Sequence, residues 1–344
     1  MLNVNAHKNF TSSGDCEAEK LIAGLLDDMR RELADTALCI ILGGSYGRGE
    51  GGVRQDRENG LLYNDLDFFV FTEKTVPGAE KKLREFAEKY EKTVHIDVDF
   101  SRVMSVRDIR NNAKRLMMQE LKRGYRLVCG KDLLQEYLPG IPADQLPFSE
   151  ACRLLLNRGM GMLFAWEKIS EKSSDKDFII RNINKAALAA GDAILIAQKH
   201  YCWSISERIE ALNKTDLPEE WKMLYRNAVE FKKSPTADVY TDMAEMWEQV
   251  HAFLLAATLR AAGAEPGEDP ELCIRRKCKK GGELSVLNYV KYCVRGRTLP
   301  LNSPGRFAAP AVTVLVTELY RKLSSGQRNI DRSSKLYRLW QIFN

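Results

Sequence analysis

Long apolar runs and a compact cysteine framework are missing from this sequence of 344 residues, and it contains only four histidines. No hydrophobic stretch approaches the roughly 20 residues of a membrane-spanning helix, so we expect no membrane partner. Residues 1–15 are polar and lack the hydrophobic core of a signal peptide. The net charge of +5 is too small to indicate a nucleic-acid partner by itself. Together these absences favour a cytoplasmic protein.

The eight cysteines are scattered along the chain. Four of them lie in apolar surroundings, namely Cys39, Cys129, Cys152 and Cys202. Such residues are typical of reduced, buried thiols, which again favours the cytoplasm. Cys273 and Cys278, with Cys293 further on, have a spacing that fits zinc poorly, because no second Cys or His pair matches the four-residue gap.

Two neighbouring segments carry most of the functional information. The first, residues 42–51, reads Leu-Gly-Gly-Ser-Tyr-Gly-Arg-Gly-Glu-Gly, a glycine-rich turn after an apolar strand. The second, residues 63–71, presents Asp65 and Asp67 on a strand. Side chains alternate along a strand, so both carboxylates point to one side while Leu66 and Phe68 face the core. Two acids this close are best tolerated beside a divalent cation such as Mg²⁺ or Mn²⁺.

At these residues the sequence resembles the DNA polymerase beta-like nucleotidyltransferase superfamily, in which a strand, a Gly-Gly/Ser turn and a short helix precede an Asp-x-Asp strand. Residues 43–49 are most similar to the glycine motif of the uridylyltransferases that modify nitrogen-signalling proteins. Two departures stand out. Ser45 is an extra residue inside the glycine run, and residues 51–64 are longer than usual, which predicts a surface loop beside the site.

A third carboxylate is expected on the next strand. Residues 93–100 alternate apolar and polar side chains, which predicts a strand with His95, Asp97 and Asp99 on one face. The resemblance implies a third acid on the strand beside Asp-x-Asp. We prefer Asp97 and keep Asp99 as the alternative metal ligand; a strand with a solvated face is the non-functional interpretation.

The resemblance also implies roles for these residues. Asp65, Asp67 and the third acid would be the catalytic residues and hold two divalent ions. Gly43, Gly44 and Ser45 would offer donors to the phosphates of a nucleoside triphosphate such as ATP. Arg48 is a candidate phosphate contact because its planar fork suits phosphate, or else it pairs with Glu50.

The second half of the chain has the periodicity of helices. Prolines at 139, 142 and 147 interrupt the preceding pattern, so we place a domain boundary between residues 148 and 149. The predicted fold class is α+β: a mixed-sheet nucleotidyltransferase core over 1–148, then an all-α domain over 149–344 that closes over the nucleotide and acceptor. Related enzymes often use a lysine of the helical domain on the triphosphate, and Lys185 is our candidate, unless it belongs to an exposed polar stripe.

The predicted activity is transfer of a nucleoside monophosphate to an acceptor hydroxyl or amine, with release of pyrophosphate. The acceptor is a small molecule, a protein or a second nucleotide. RNA is less favoured, although the C-terminal quarter is basic, because its cluster over 275–280 is typical of a solvated loop. The alternative is a non-catalytic protein that uses the same fold to bind nucleotide or RNA; the intact acids argue against it.

Overall fold

The computed structural model describes residues 9–54, 60–236, 242–265, 267–297 and 308–343. Contacts divide the chain into two compact units. The sheet unit comprises residues 1–141 together with 230–236, and the helical unit comprises 142–229 and 237–344. The segment 230–236, which includes the end of a helix, therefore groups with a sheet far from it in sequence.

The sheet unit alternates strands and helices. Its strands are β1 (Cys39–Leu42), β2 (Asp65–Thr72), β3 (Asp97–Phe100), β4 (Met104–Ser105) and β5 (Arg126–Cys129). Its helices are α1 (Cys16–Leu33), α2 (Gly44–Gly47), α3 (Ala79–Val94), α4 (Val106–Asn111), α5 (Leu116–Arg123) and α6 (Leu133–Tyr137). Short 3₁₀ turns cover Ala34–Thr36 and Ala143–Gln145, the second in the helical unit.

The five strands form one mixed sheet in the order β3-β2-β1-β5, with β4 also on β2. β1 pairs antiparallel with both β2 and β5, whereas β3 and β4 run parallel to β2. Burial alternates at the start of β2: Leu66 and Phe68 are fully buried, while Asp65 and Asp67 are partly exposed. This period of two matches the prediction and fixes which side of β2 carries the acids.

Each face of the sheet has its own apolar core. On one face Ile40, Leu42 and Phe68 pack with residues of α1 and α3. On the other, Ile41 and Phe71 pack with residues of α4, α5 and α6. Helix α1 begins where the Asp15 carboxylate accepts from the backbone N–H groups of residues 17 and 18, an N-cap. The sheet is thus covered on both sides, and its strand ends are left to carry polar chemistry.

The helical unit contains no strand among its described residues. Its helices are α7 (Phe148–Ser170), α8 (Lys176–Gln198), α9 (Ile205–Asn213), α10 (Glu219–Lys233), α11 (Met243–Ala262), α12 (Pro270–Lys280), α13 (Val286–Gly296), α14 (Ala311–Ser324) and α15 (Lys335–Phe343). Helix α8 packs on α7 and α11, and the last turn of α10 lies in segment 230–236.

A buried ionic cluster lies inside the helical unit. Asp192 on α8 accepts from Arg208 Nη1 on α9 and from the Tyr225 hydroxyl on α10, each over 2.7 Å. Arg208 also donates to the Tyr201 hydroxyl over 3.0 Å. These contacts tie three helices together around a carboxylate that is only 9% exposed.

The α+β fold class is confirmed, while several element boundaries differ from the prediction. The strand predicted over 93–100 begins only at Asp97, because α3 continues to Val94 and His95 ends it with a left-handed φ of 56°. The apolar and polar positions over residues 111–122 predict one helix, but α4 ends at Asn111 and α5 begins only at Leu116. The basic cluster over 275–280 lies on α12, so the predicted loop is wrong.

Helix length and apolar character also bear on membrane insertion. Within the described ranges, no helix combines the length and the apolar character that crossing a bilayer requires.

Candidate active site

The glycine-rich turn connects β1 to the short helix α2. Gly43 follows the last residue of β1, and its N–H donates to the carbonyl oxygen of Asp67 over 2.8 Å. Gly44 has a φ of +59°, a left-handed conformation that favours glycine. Gly47 N–H then donates to Gly43 O over 2.8 Å, closing the helical turn. A backbone hydrogen bond therefore joins this turn to the strand that carries the acids.

Gly44 also has a steric reason to be glycine. A Cβ built on it would overlap the Asp67 carboxylate, with Oδ2 the nearest atom. The backbone of the turn and the side chain of Asp67 are thus in close contact. Gly43 is buried, while Gly44 and Ser45 are partly exposed.

The four acids predicted from the sequence occupy paired positions on two parallel strands. Asp65 of β2 pairs with Asp97 of β3, and Asp67 pairs with Asp99. Neighbouring strands lie about 4.8 Å apart, so the two residues of each pair lie side by side at the same end of the sheet. Asp97 and Asp99 are exposed, whereas Asp65 and Asp67 are partly exposed. Register places Asp97 beside the first acid and Asp99 beside the second.

The proximity of these carboxylates has an electrostatic consequence. The pKa of Asp99 is raised above its ordinary value, first by partial desolvation of its carboxylate by the surrounding atoms and then by the negative charges of Asp65, Asp97 and Glu91. Asp65 in turn accepts a hydrogen bond from the side-chain amide of Asn64. Asn64 has a φ of +76°, and asparagine tolerates this left-handed conformation better than most residues. The group carries a concentration of negative charge that a cation would relieve.

The carboxylates have the right chemistry for a hard cation, but they are not gathered around one point. Across the described ranges, no three His, Cys, Asp or Glu side chains converge closely enough to hold a metal ion. Cys273 and Cys278, which are free and buried on α12, form no such group there either. Binding an ion between β2 and β3 would therefore require the carboxylate side chains to move closer together.

Tyr46 is a structural residue of the site that the sequence reasoning missed. Its side chain is 1% exposed. The hydroxyl donates to Gly52 O over 2.7 Å and accepts from Tyr63 N–H over 2.8 Å. Burial raises the pKa of this phenol well above its ordinary value, so it stays protonated. Tyr46 thus bonds α2 to both ends of the segment between the glycine turn and β2.

That segment is less exposed than the sequence suggests. Residues 55–59 fall outside the described ranges, but Gly51, Gly52, Leu62 and Tyr63 are all buried. Gly51 bridges to Thr11, and Val53 bridges to Leu62. The prediction of a surface loop is therefore wrong for the two ends of this segment. Its hydrogen bonds with Tyr46 were not visible in the sequence, because they join residues 6 and 17 positions apart without a repeating pattern.

Arg48 makes the ion pair that we considered as the alternative to phosphate binding. Its Nε donates to Glu50 Oε2 over 3.2 Å. The same oxygen accepts from Lys232 Nζ over 3.1 Å. Lys232 belongs to segment 230–236 of the sheet unit and was not singled out from the sequence. Nothing in its sequence surroundings indicated this contact.

The remaining predicted phosphate ligands lie in two places. Ser45 is on α2, where its carbonyl oxygen accepts from the N–H groups of Arg48 and Glu50 over 3.2 and 2.8 Å. Lys185 is partly exposed on α8 of the helical unit. Its contact with the triphosphate stays a prediction, as do the individual roles of the acids.

Comparison with known protein families gives a match in the N-terminal part of the chain. Residues 4–96 match the protein-family model described as "Putative nucleotidyltransferase DUF294". No curated protein matches the chain. The matched range ends just before Asp97 and includes the glycine turn, α2 and the Asp-x-Asp strand. This match and this arrangement of turn and acids support the assignment of residues 4–96 to the nucleotidyltransferase superfamily.

Proposed function

We propose that this protein transfers a nucleoside monophosphate from a nucleoside triphosphate to an acceptor hydroxyl or amine and releases pyrophosphate. The observation that carries the proposal is the junction of the glycine turn with β2. Gly43 N–H bonds Asp67 O, and Gly44 lies against the Asp67 carboxylate. A phosphate held by the turn would then lie next to the acids that are proposed to bind the charge-neutralising divalent cations.

The acids would hold Mg²⁺ or Mn²⁺. Asp65, Asp67 and Asp97 are the proposed ligands, with Asp99 as the alternative third acid. Two bound ions would supply a more acidic acceptor hydroxyl and neutralise charge on the leaving pyrophosphate. The chain itself contributes carboxylates on two paired strands, and these would orient the acceptor opposite the leaving group.

The phosphate contacts would come from the turn. Backbone N–H groups and the Ser45 hydroxyl are the proposed donors to the triphosphate, together with Arg48 and with Lys185 of the helical unit. Guanidinium and ammonium groups would bind the negatively charged phosphates through charge-assisted hydrogen bonds. We favour a small molecule or a protein as acceptor over RNA.

The decisive experiment tests each nucleoside triphosphate as the donor and uses cell extract as a source of unidentified acceptors. The purified chain would be incubated with each α-³²P-labelled nucleoside triphosphate and Mg²⁺ or Mn²⁺, with and without cell extract, beside the Asp67→Asn variant. We expect pyrophosphate release and a labelled product that the variant does not form. Nucleotide binding without any labelled product would instead favour the non-catalytic nucleotide-binding alternative.

A further inference from the structure

Segment 230–236 contacts the loop of residues 50–52, which follows the glycine turn and α2. Lys232 is 182 residues away from Glu50 in sequence, yet its ammonium donates to Glu50 Oε2 over 3.1 Å. The next residue, Lys233, accepts at its carbonyl oxygen from Ser12 Oγ over 3.3 Å. Ser12 Oγ also lies 3.3 Å from Gly51 O. Segment 230–236 thus contacts the loop directly through the Lys232 side chain, and Ser12 lies between the backbones of the segment and the loop.

Apolar contacts extend the same anchorage. The ring of Phe231 meets the ring of Tyr63 edge to face, with centroids 5.8 Å apart. A Cβ built on Gly52 would lie 3.2 Å from Lys232 O and 3.4 Å from the Pro235 ring, so the two backbones approach closely. Tyr63 and Gly52 are also the two residues that Tyr46 bonds. Segment 230–236 therefore packs against the residues that hold α2 in place.

Glu50 is the charged link in this arrangement. One oxygen, Oε2, accepts from both Arg48 Nε and Lys232 Nζ. Their side chains are 22% and 29% exposed, and that of Glu50 is 34% exposed. Burial alone would raise the pKa of Glu50, but the charges of Lys232 and Arg48 outweigh it and lower the pKa to about 2. At neutral pH a full negative charge therefore sits between two cations.

We propose that Lys232 is a positioning residue of the nucleotide site, which acts through Glu50 to hold Arg48 and the loop behind the glycine turn where the triphosphate requires them. The inference rests on the proposed function. It adds a residue that lies far outside the glycine motif and outside residues 4–96. Without the Lys232 ammonium, Glu50 Oε2 keeps only Arg48 of these two cationic partners. The Arg48–Glu50 pair then loses its ionic contact with segment 230–236.

The test uses the full chain and direct binding of ATP, GTP, CTP and UTP in the presence of Mg²⁺ by calorimetry. For the best-bound nucleotide, we expect Lys232→Met to raise Kd about tenfold, the order of effect of one lost charge-assisted contact. Lys232→Arg keeps the charge and should restore binding to within about twofold. In turnover assays KM should rise with kcat nearly unchanged, as for lost binding that is equal in ground and transition states.

Lys233→Met is the matched control. Lys233 is the neighbouring lysine, its ammonium pairs with Glu230 over 2.9 Å, and both side chains are exposed. This variant should bind nucleotide like the wild type. Melting temperatures of all variants, measured without nucleotide, identify any loss of folding. If the role of Lys232 were purely structural, Lys232→Met would lower the melting temperature but leave Kd unchanged, and Lys232→Arg would not restore the stability.

A double-mutant cycle tests whether Lys232 acts through Glu50. If it does, Glu50→Gln combined with Lys232→Met binds nucleotide no more weakly than Glu50→Gln alone. Additive losses, or a Lys232→Met variant with wild-type Kd, would overturn the inference and leave the proposed function intact. Failure of the wild type to bind any of the four nucleotides would overturn the proposed function, and the inference with it.

Discussion

Gly44 and Asp67 are in direct contact: the backbone of the glycine turn fills the space beside the Asp67 carboxylate, and no side chain fits between them. The contact joins the part of the site proposed to bind phosphate to the part proposed to bind metal. A second tie, the hydrogen bond from Gly43 N–H to Asp67 O over 2.8 Å, fixes their separation. A substitution at either residue should therefore change the position of the other.

Gly44→Ala should abolish activity and destabilise the protein. A non-glycine residue at a φ of +59° costs about 1–2 kcal/mol, and the new methyl group would also displace the Asp67 carboxylate. Gly78→Ala is the matched control, because Gly78 has a φ of +73° but a Cβ added to it would have nothing within 4 Å. Urea unfolding and turnover of both variants separate backbone strain from the contact. Equal activity of the two variants would contradict our account of Gly44.

Asp65→Asn and Asp67→Asn should each eliminate turnover while the protein stays folded. Removing one charge from a group of like charges relieves repulsion, so the melting temperature without metal should stay the same or rise. Asp144→Asn, at an exposed acid of a 3₁₀ turn in the helical unit, serves as the control. More than a few per cent of wild-type activity in both variants would rule out a mechanism that needs both carboxylates.

Asp97→Ala should cost more activity than Asp99→Ala. Asp97 pairs with the first acid of β2 and Asp99 with the second, so the two alanine variants each remove one cross-strand partner. Initial rates across a range of Mg²⁺ concentrations would compare them. Wild-type kinetics for Asp97→Ala together with an inactive Asp99→Ala would assign the third acid to Asp99.

Glu50→Gln should lower stability in a pH-dependent way. The pKa of Glu50 in the folded protein is about 2, below its ordinary value of 4.5, so the charged form favours folding. Its contribution is complete above pH 4.5 and disappears as the pH falls through about 2. The difference in melting temperature between wild type and variant should therefore shrink over that interval.

Glu85→Gln provides the control for this pH series. Glu85 makes an exposed pair with Lys81 over 3.6 Å, an arrangement that contributes little to stability. Its difference from wild type should be small at every pH. A Glu50→Gln difference that does not change between pH 2 and 4.5 would mean that the Arg48 and Lys232 contacts do not stabilise the fold through charge.

Asp192→Asn should destabilise the helical unit by about 3–5 kcal/mol, because it removes the negative charge that Asp192 places beside the buried Arg208 guanidinium. Arg208→Met combined with Asp192→Leu removes both charges and should recover much of that loss. Urea denaturation with a probe in the helical unit measures both. The double variant being less stable than Asp192→Asn would show that packing or the Tyr225 hydrogen bond, and not charge, dominates.

The sequence alone determined those features that depend on short-range pattern. The period of two along β2 placed Asp65 and Asp67 on one side and Leu66 in the core, as the structure has them. The glycine run before this strand indicated the nucleotidyltransferase superfamily, and apolar periodicity indicated a largely helical second half. These features follow from backbone geometry and solvent exposure, which act over a few residues and leave a readable pattern.

Only the tertiary structure decided which residues meet across long distances in sequence. The pairing of Asp65 with Asp97 depends on the parallel register of β2 and β3, which no local pattern specifies. The Tyr46 hydroxyl and the Lys232 ammonium find their partners through chain topology, although each looks like an ordinary residue of a helix in the sequence. Hydrogen bonds and ion pairs of this kind need only two groups in reach, so they impose no periodicity from which they could have been predicted.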